Sequence, residues 1–234
     1  MLLHTRLTSI IRHGRTVRRV HRLRAAAAGV LLGGALLAAA GPAASAAAVV
    51  GPTCGGFTEA DAASRGYVTF SGGAAADNYV DITPDWHWVM TFGDNDTVQT
   101  GGGHDIICTG DGDDTVGSDG FFDEVFAGAG ADTVDLGAGP TDYAEGNGGR
   151  DHINGEGGDD VIFGDGQFAG ANDGGDVLTG GAGDDDLYGG GAGDDLFGDG
   201  GIDDLVGDGG ANDTGDGGAG VDTTCDVETP VNCP

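Results

Sequence analysis

Residues 96–134 read DTVQTGGGHDIICTGDGDDTVGSDGFFDEVFAGAGADTV. Within them the triplets Asp96-Thr-Val98, Asp105-Ile-Ile107, Asp114-Thr-Val116, Asp123-Glu-Val125 and Asp132-Thr-Val134 place five successive aspartates nine residues apart. The register slips by one residue to Asp142, then resumes at Asp151 and Asp160. An insertion, QFAGAND (167–173), precedes Asp176, and Asp185, Asp194 and Asp203 follow at nine-residue steps. A degraded unit near Asn212-Asp213 and a last one, GGAGVDTTC ending at Cys225, close the array. A fixed period of this kind marks stacked repeats rather than one globular core.

The residue types give each unit its shape. Glycines recur before the aspartates, as in GDGDDTV (110–116), AGAGADTVD (127–135), GEGGDDVIF (155–163) and GGAGDDDLY (180–188). Glycine reaches backbone angles closed to other residues, so the first six positions predict a tight turn. The last three, x-apolar-x, form a minimal strand with one side chain inward and two outward. The inward ladder is Val98, Ile107, Val116, Val125, Val134, Ile153, Ile162, Leu178, Leu187, Leu196 and Leu205. Two units make one coil, so equivalent turns stack every 18 residues, about 4.8 Å apart. Asp96, Asp114, Asp132 and Asp151 then line one edge, and Asp105, Asp123, Asp142 and Asp160 the other.

Charge decides what such a stack requires. The chain has 234 residues, 51 of them Gly, with 39 acidic residues against nine Arg and no Lys. Seven Arg lie in the first 24 residues, and no Asp or Glu precedes Glu59. Everything after residue 46 therefore carries a formal charge of −37. That excludes electrostatic binding to nucleic acid and argues against an anionic membrane surface as partner. Carboxylates stacked one strand spacing apart repel unless a cation sits between them. Carboxylate and turn-carbonyl oxygens are hard ligands that select Ca2+, with its six to eight oxygens and flexible geometry, over the tighter octahedron of Mg2+. Glycine and charge alone would equally suit a disordered polyanion. The strict register of an apolar residue two places after each Asp argues against that, since disorder needs no register.

These units resemble the repeats-in-toxin nonapeptide GGxGxDxUx, U being a large apolar residue, also called the haemolysin-type calcium-binding repeat. The resemblance covers residues 91–225. It implies an all-β fold, a right-handed parallel β-roll, with several Ca2+ ions held between turns two units apart. It implies that the sixth-position aspartates supply the side-chain ligands: Asp96, Asp105, Asp114, Asp123, Asp132, Asp142, Asp151, Asp160, Asp176, Asp185, Asp194, Asp203 and Asp222. Fifth-position Asp113, Asp159 and Asp184 are weaker candidates. Two departures stand out. Unit 118–126 (SDGFFDEVF) has Phe121 where glycine is expected, and the unit near Asn212 lacks its Asp in strict register. The resemblance makes calcium ions the partner and implies an exported protein with a structural or adhesive role, an extracellular polymer or cell-surface component being a further partner.

The flanks complete the expected organisation. Residues 1–46 read as a secretory signal peptide: a basic stretch from Arg12 to Arg24, the apolar run Ala25 to Ala40, and an A-x-A site at Ala44-Ser45-Ala46. The run is shorter than the roughly 18–20 residues of a spanning helix. Residues 47–90 carry Tyr67, Phe70, Tyr79, Trp86 and Trp88 and read as a small N-terminal β cap on the roll at 91–225. An alternative for this segment is a ligand platform on Trp86 and Trp88, with His87 between them structural. Residues 226–234 form a short tail. Cys54, Cys108, Cys225 and Cys233 allow three disulfide pairings, and sequence proximity favours Cys54–Cys108 with Cys225–Cys233. No catalytic motif such as GxSxG, HExxH or a Walker loop is present, so the chain does not read as an enzyme, a hydrolase remnant being the least favoured reading. Thr97, Thr115 and Thr133, 18 residues apart, predict an outward ladder that offers an alternative function, a calcium-dependent face for ice or polysaccharide.

Overall fold

The structure is a computed structural model that describes residues 53–166 and 173–233. The signal-peptide reading of 1–46 falls outside the described residues. The chain opens with a short hairpin, β1 (Thr53–Cys54) and β2 (Phe57–Thr58), followed by the one-and-a-half-turn helix α1 (Glu59–Ser64). Thr58 caps that helix: its hydroxyl accepts the Asp61 N–H, and the Asp61 carboxylate reaches back to the Thr58 N–H, a reciprocal capping box.

From Val68 onward the chain alternates between two parallel sheets, each of nine strands among the described residues. The odd sheet holds β3 (Val68–Ser71), β5 (His87–Gly93), β7 (Ile106–Asp111), β9 (Glu124–Ala129), β11 (Tyr143–Gly148), β13 (Val161–Asp165), β15 (Asp186–Gly190), β17 (Asp204–Asp208) and β19 (Thr224–Asp226). The even sheet holds β4 (Asn78–Asp81), β6 (Thr97–Thr100), β8 (Thr115–Gly117), β10 (Thr133–Asp135), β12 (His152–Asn154), β14 (Val177–Ala182), β16 (Asp195–Gly200), β18 (Thr214–Asp216) and β20 (Thr229–Val231). Each strand pairs with the one a full coil later, Val98 with Val116 and Val116 with Val134. The architecture is an all-β solenoid, the β-roll that the nine-residue period implies.

Register survives both irregularities of the sequence. The one-residue slip before Asp142 lengthens one coil, so that Val134 pairs with Ile153. Across the insertion, Ile153 pairs with Leu178 and Ile162 with Leu187. The strand register is therefore unchanged on either side of the insertion. All eleven residues of the inward ladder are buried, and Val89, Ala127, Leu136 and Ala144 complete the same core. Ala144 fills the apolar position of the slipped unit, a smaller side chain than the repeat prefers.

Glycine is needed where coils touch. Gly110 and Gly128 stand one above the other with φ of 110° and 119°. A Cβ on Gly110 would run into the carbonyl oxygen of Phe92, and one on Gly128 into that of Gly110. The turn thus needs both a left-handed backbone and the absence of a side chain.

Residues 47–90 divide between two tasks. Strands β3 to β5 are themselves coils of the roll, and the Phe70 and Tyr79 rings, 4.8 Å apart, pack against the first rung of the core. The hairpin and helix lie on the outer face of the odd sheet, where Cys54 and Ala62 cover Trp88, Met90 and Ile106. The Trp88 indole N–H donates to the Cys54 carbonyl at 3.3 Å. Trp88 is fully buried while Trp86 is half exposed, so the two do not form one exposed platform. Disulfides join Cys54 to Cys108 and Cys225 to Cys233. Among the described residues no helix is long and apolar enough to cross a membrane.

Because the core is one residue wide, each rung has only its neighbours to pack against. Leu187→Ala should cost about 2–5 kcal/mol, read as a lowered urea midpoint of the Ca2+-saturated protein. An unchanged midpoint would show that rung to be dispensable.

Candidate metal centre

The two edges of the roll are built on one repeated hydrogen bond. The backbone N–H of each sixth-position residue donates to Oδ1 of the aspartate one coil further on. Along the even edge the chain runs Asp77 to Asp96, Asp114, Asp132, Asp151, Asp176, Asp194 and Asp213, ending on Glu228, at 2.7–3.0 Å. Along the odd edge it runs His87 to Asp105, Asp123, Asp142, Asp160, Asp185, Asp203 and Asp222, at 2.7–3.3 Å. Thus all thirteen sixth-position aspartates singled out by the sequence lie in two continuous files. The fifth-position residues form an outer, exposed counterpart: Asp113 accepts the Ala131 N–H, Asp159 that of Asp184, and Asp184 that of Ile202.

One oxygen of each carboxylate is thereby used and the other is not. Oδ2 of Asp96, Asp105, Asp114, Asp123, Asp132, Asp142, Asp151, Asp160, Asp176, Asp185, Asp194 and Asp203 is buried without a hydrogen-bond partner. A buried carboxylate oxygen left without a donor is costly, and twelve in two rows need a common explanation. For seven of them, from Asp142 to Asp203, the space in front is shaped by glycine, whereas Thr91, Thr100, Thr109, Ser118 and Ala127 stand five residues before Asp96, Asp105, Asp114, Asp123 and Asp132. At Gly146 an added Cβ would meet Asp151 Oδ2 and the Gly164 carbonyl oxygen together. Gly155 faces Asp160 Oδ2 and the Gly180 carbonyl, and Gly164 faces Asp176 Oδ2 and the Gly189 carbonyl. A carboxylate and a carbonyl oxygen therefore converge on one spot, coil after coil. This is the hard, oxygen-only donor set that Ca2+ takes. Among the described residues no three His, Cys, Asp or Glu side chains converge on one point, so turn carbonyls must supply part of any coordination shell.

Burial shapes the acidity of these groups. It raises Asp123 to about 9, Asp176 to about 8, and Asp132, Asp142, Asp160, Asp185 and Asp194 to about 7. Asp151 and Asp203 rise to about 6. For most of them the like charges of neighbouring carboxylates add to the effect, Asp105 and Asp142 on Asp123, Asp151 and Asp194 on Asp176. The donated backbone N–H works in the opposite direction but is the smaller influence.

The structure adds four residues to the ladder. Asp77, Asp213 and Glu228 occupy sixth positions, and His87 stands where the odd edge begins. Asp213 corrects the expectation that the unit near Asn212 lacks its aspartate. The chain before it is one residue longer, and Asp213 still takes the Asp194 N–H at 3.0 Å and is buried. Glu228 precedes Thr229-Pro230 with no glycine signature, so only the strand pairing Thr214↔Thr229 reveals it. Asp165 is a further buried carboxylate outside the sixth-position file, its Oδ2 accepting the Gly191 N–H at 2.5 Å.

Comparison with known proteins agrees with this geometry. The family model of the RTX calcium-binding nonapeptide repeat (HemolysinCabind) matches in four copies, at residues 92–116, 117–140, 141–168 and 170–205. No curated protein and no solved structure matches the chain.

Asn in place of Asp keeps the Oδ1 acceptor and removes the charge, so it isolates the second oxygen. D213N should raise the Ca2+ midpoint of folding by about twofold or more, as D194N should, because ligand charge sets affinity in such sites. D216N, on an outward strand position, should leave it unchanged. A calcium titration followed by circular dichroism makes the comparison, and an inert D213N would remove that residue from the ladder.

Proposed function

We propose, from the premise that residues 92–205 of this chain are RTX calcium-binding nonapeptide repeats, that the protein is an exported β-roll whose folding and Ca2+ binding are one event. The observation that carries this is the double file of buried Oδ2 atoms without a hydrogen-bond partner, seven of which, from Asp142 to Asp203, face a glycine-lined gap. The sixth-position aspartates from Asp96 to Asp222 would hold the ions, with Asp213 added to them and turn carbonyls alongside. Bound Ca2+ supplies the positive charge that lets the files stand one strand spacing apart. The residues themselves fix the spacing, since each Oδ1 is anchored by a backbone N–H.

Export suits this chemistry. A chain carrying −37 over its mature part stays extended where Ca2+ is scarce and compacts where Ca2+ is millimolar, the range in which extracellular modules bind. The two disulfides fit an oxidising compartment. The role that follows is structural or adhesive, at the cell surface or outside the cell. No catalytic constellation is needed to account for the sixth-position carboxylates, because the ladder gives each of them a place.

A second reading has its own observation. Thr97, Thr115 and Thr133 pair directly across β6, β8 and β10, all three exposed, giving hydroxyls one strand spacing apart on the even sheet. Such a row suits a calcium-dependent face for ice or polysaccharide. Replacing all three by Lys should abolish any ice or glycan binding of the Ca2+-loaded protein. Retained binding would leave the threonines with only their strand preference.

The main proposal makes a pH-dependent prediction. In the metal-free fold Asp123, Asp132, Asp142, Asp151, Asp160, Asp176, Asp185, Asp194 and Asp203 have pKa values raised from 3.8 to between about 6 and about 9, chiefly by burial. Their contribution to that fold is complete below 3.8 and is lost as pH rises through this window. Ca2+ requires the ionised form, so binding releases protons and weakens on acidification. Far-UV circular dichroism should show a cooperative coil-to-β change with Ca2+ but not Mg2+ at pH 8. The Ca2+ midpoint should rise about tenfold or more at pH 6. No change with Ca2+ at either pH would overturn the coupling of fold and metal.

A further inference from the structure

His87 is the one sixth-position residue among the described residues whose side chain brings nitrogen to the ladder. Its ring is fully buried. Nδ1 lies 2.9 Å from Asp105 Oδ1, which also accepts the His87 backbone N–H at 2.7 Å. A carboxylate can only accept, so Nδ1 carries hydrogen, and in the neutral ring the lone pair is left on Nε2. Nε2 is buried without a hydrogen-bond partner and faces Asp81 Oδ2 at 3.5 Å. The other oxygen of Asp81 is held by the Thr83 N–H at 3.1 Å. Beside them the Tyr79 hydroxyl is also buried and unpartnered, its ring edge-on to the imidazole at 6.2 Å between centroids.

A nitrogen–oxygen distance of 3.5 Å is long for a hydrogen bond. It is close to the separation of two donors that each lie about 2.0–2.1 Å from one tetrahedral metal ion. An outer carboxylate on Nδ1 that fixes tautomer and ring orientation is the usual support of a metal-bound histidine. Imidazole nitrogen selects Zn2+ and its neighbours over Ca2+. We propose that His87 Nε2 and Asp81 Oδ2 form a site for a divalent transition metal of the Zn2+ class at the first coil, oriented by Asp105 and distinct from the oxygen ladder. Two protein donors leave the remaining positions to water. Access lies on the side of Asp81, whose side chain is 31% exposed on β4, the terminal strand of its sheet. The inference stands on the geometry of the first coil and not on the calcium reading.

Isothermal titration of Zn2+ into the full chain already saturated with Ca2+ tests it, with circular dichroism of the same samples separating failure to fold from failure to bind. The wild type should take up one Zn2+ that D81N weakens by at least about tenfold and H87Q removes. The 15N resonance of His87 Nε2 should shift on Zn2+ addition. D81N alters a partly exposed side chain and decides the matter alone if H87Q does not fold. No uptake by the folded wild type, or uptake equal in wild type and D81N, would overturn the proposal and leave His87 as a structural residue between Asp105 and Asp81.

Discussion

The structure depends on one bond repeated fifteen times, a backbone N–H of one coil donating to a carboxylate of the next, Oδ1 of an aspartate in fourteen cases and Oε2 of Glu228 in the last. The bond sets the rise of the turn edges equal to the rise of the sheets, so that turns and strands stack in step. It also forces a carboxylate into every coil at the same height. Two such charges one strand spacing apart repel by roughly 3 kcal/mol at an effective dielectric of about 20. Burying one Val or Leu of the ladder returns about 1.5–3 kcal/mol. The two are of equal size, and backbone ordering costs a further 1–2 kcal/mol per residue. The hydrophobic ladder is therefore offset wherever neighbouring carboxylates of a file are both ionised and uncompensated. A cation between coils would change the sign of the edge contribution, which is the physical argument for the proposed coupling of metal and fold.

Much of this was legible because the repeat writes its period in two independent residue classes. Asp at position six and a branched apolar residue at position eight agree over most of the array, so the coil length of 18 and both edge files followed from spacing. What was not legible lies where one class fails. Asp77 sits in GGAAADNYV (72–80), with Ala75 where the third glycine of the turn belongs and Tyr79 as its inward residue, and lies outside the run of regularly spaced aspartates that begins at Asp96. Glu228 and His87 carry the ladder with other side chains. The backbone N–H needs only an acceptor, and it is donated whatever side chain the donor residue bears, so the ends of the array tolerate substitutions that its middle does not show. Asp213 was hidden by one extra residue, which a turn absorbs because turn length, unlike strand register, is not fixed by pairing.

The N-terminal flank was harder to read for a different reason. YVTF and NYVDI read as short strands, but nothing in their local pattern says that they join the roll's own sheets. Their pairing with β5 and β6 is a consequence of stacking, Phe70 with Val89 and Tyr79 with Val98, and stacking is legible only once the coil length is applied to unmarked sequence. Trp88 illustrates the same limit. It stands at an outward position of the unit, where a polar residue is expected, and is buried only because the disulfide-linked segment around Cys54 folds back over it.

Solenoids must also stop, and the two ends stop differently. At the first coil large aromatic side chains, Phe70 and Tyr79, take the place of the slim apolar residues of the ladder, covering a core that has no further described coil above it. At the last coil the problem is the open sheet edge. The Thr229 N–H is spent inward on the Asp213 carbonyl at 3.0 Å, so the next nitrogen along the strand faces outward. That nitrogen belongs to Pro230 and has no hydrogen to offer a further strand. Beneath it the inward position of β18 is Gly215, where an added Cβ would press on Val227. The core therefore narrows as the edge is blunted, and the Cys225–Cys233 disulfide holds the final strand in place. At this edge of the even sheet, the free N–H that would invite a further strand to pair above an open apolar rung has thus been removed.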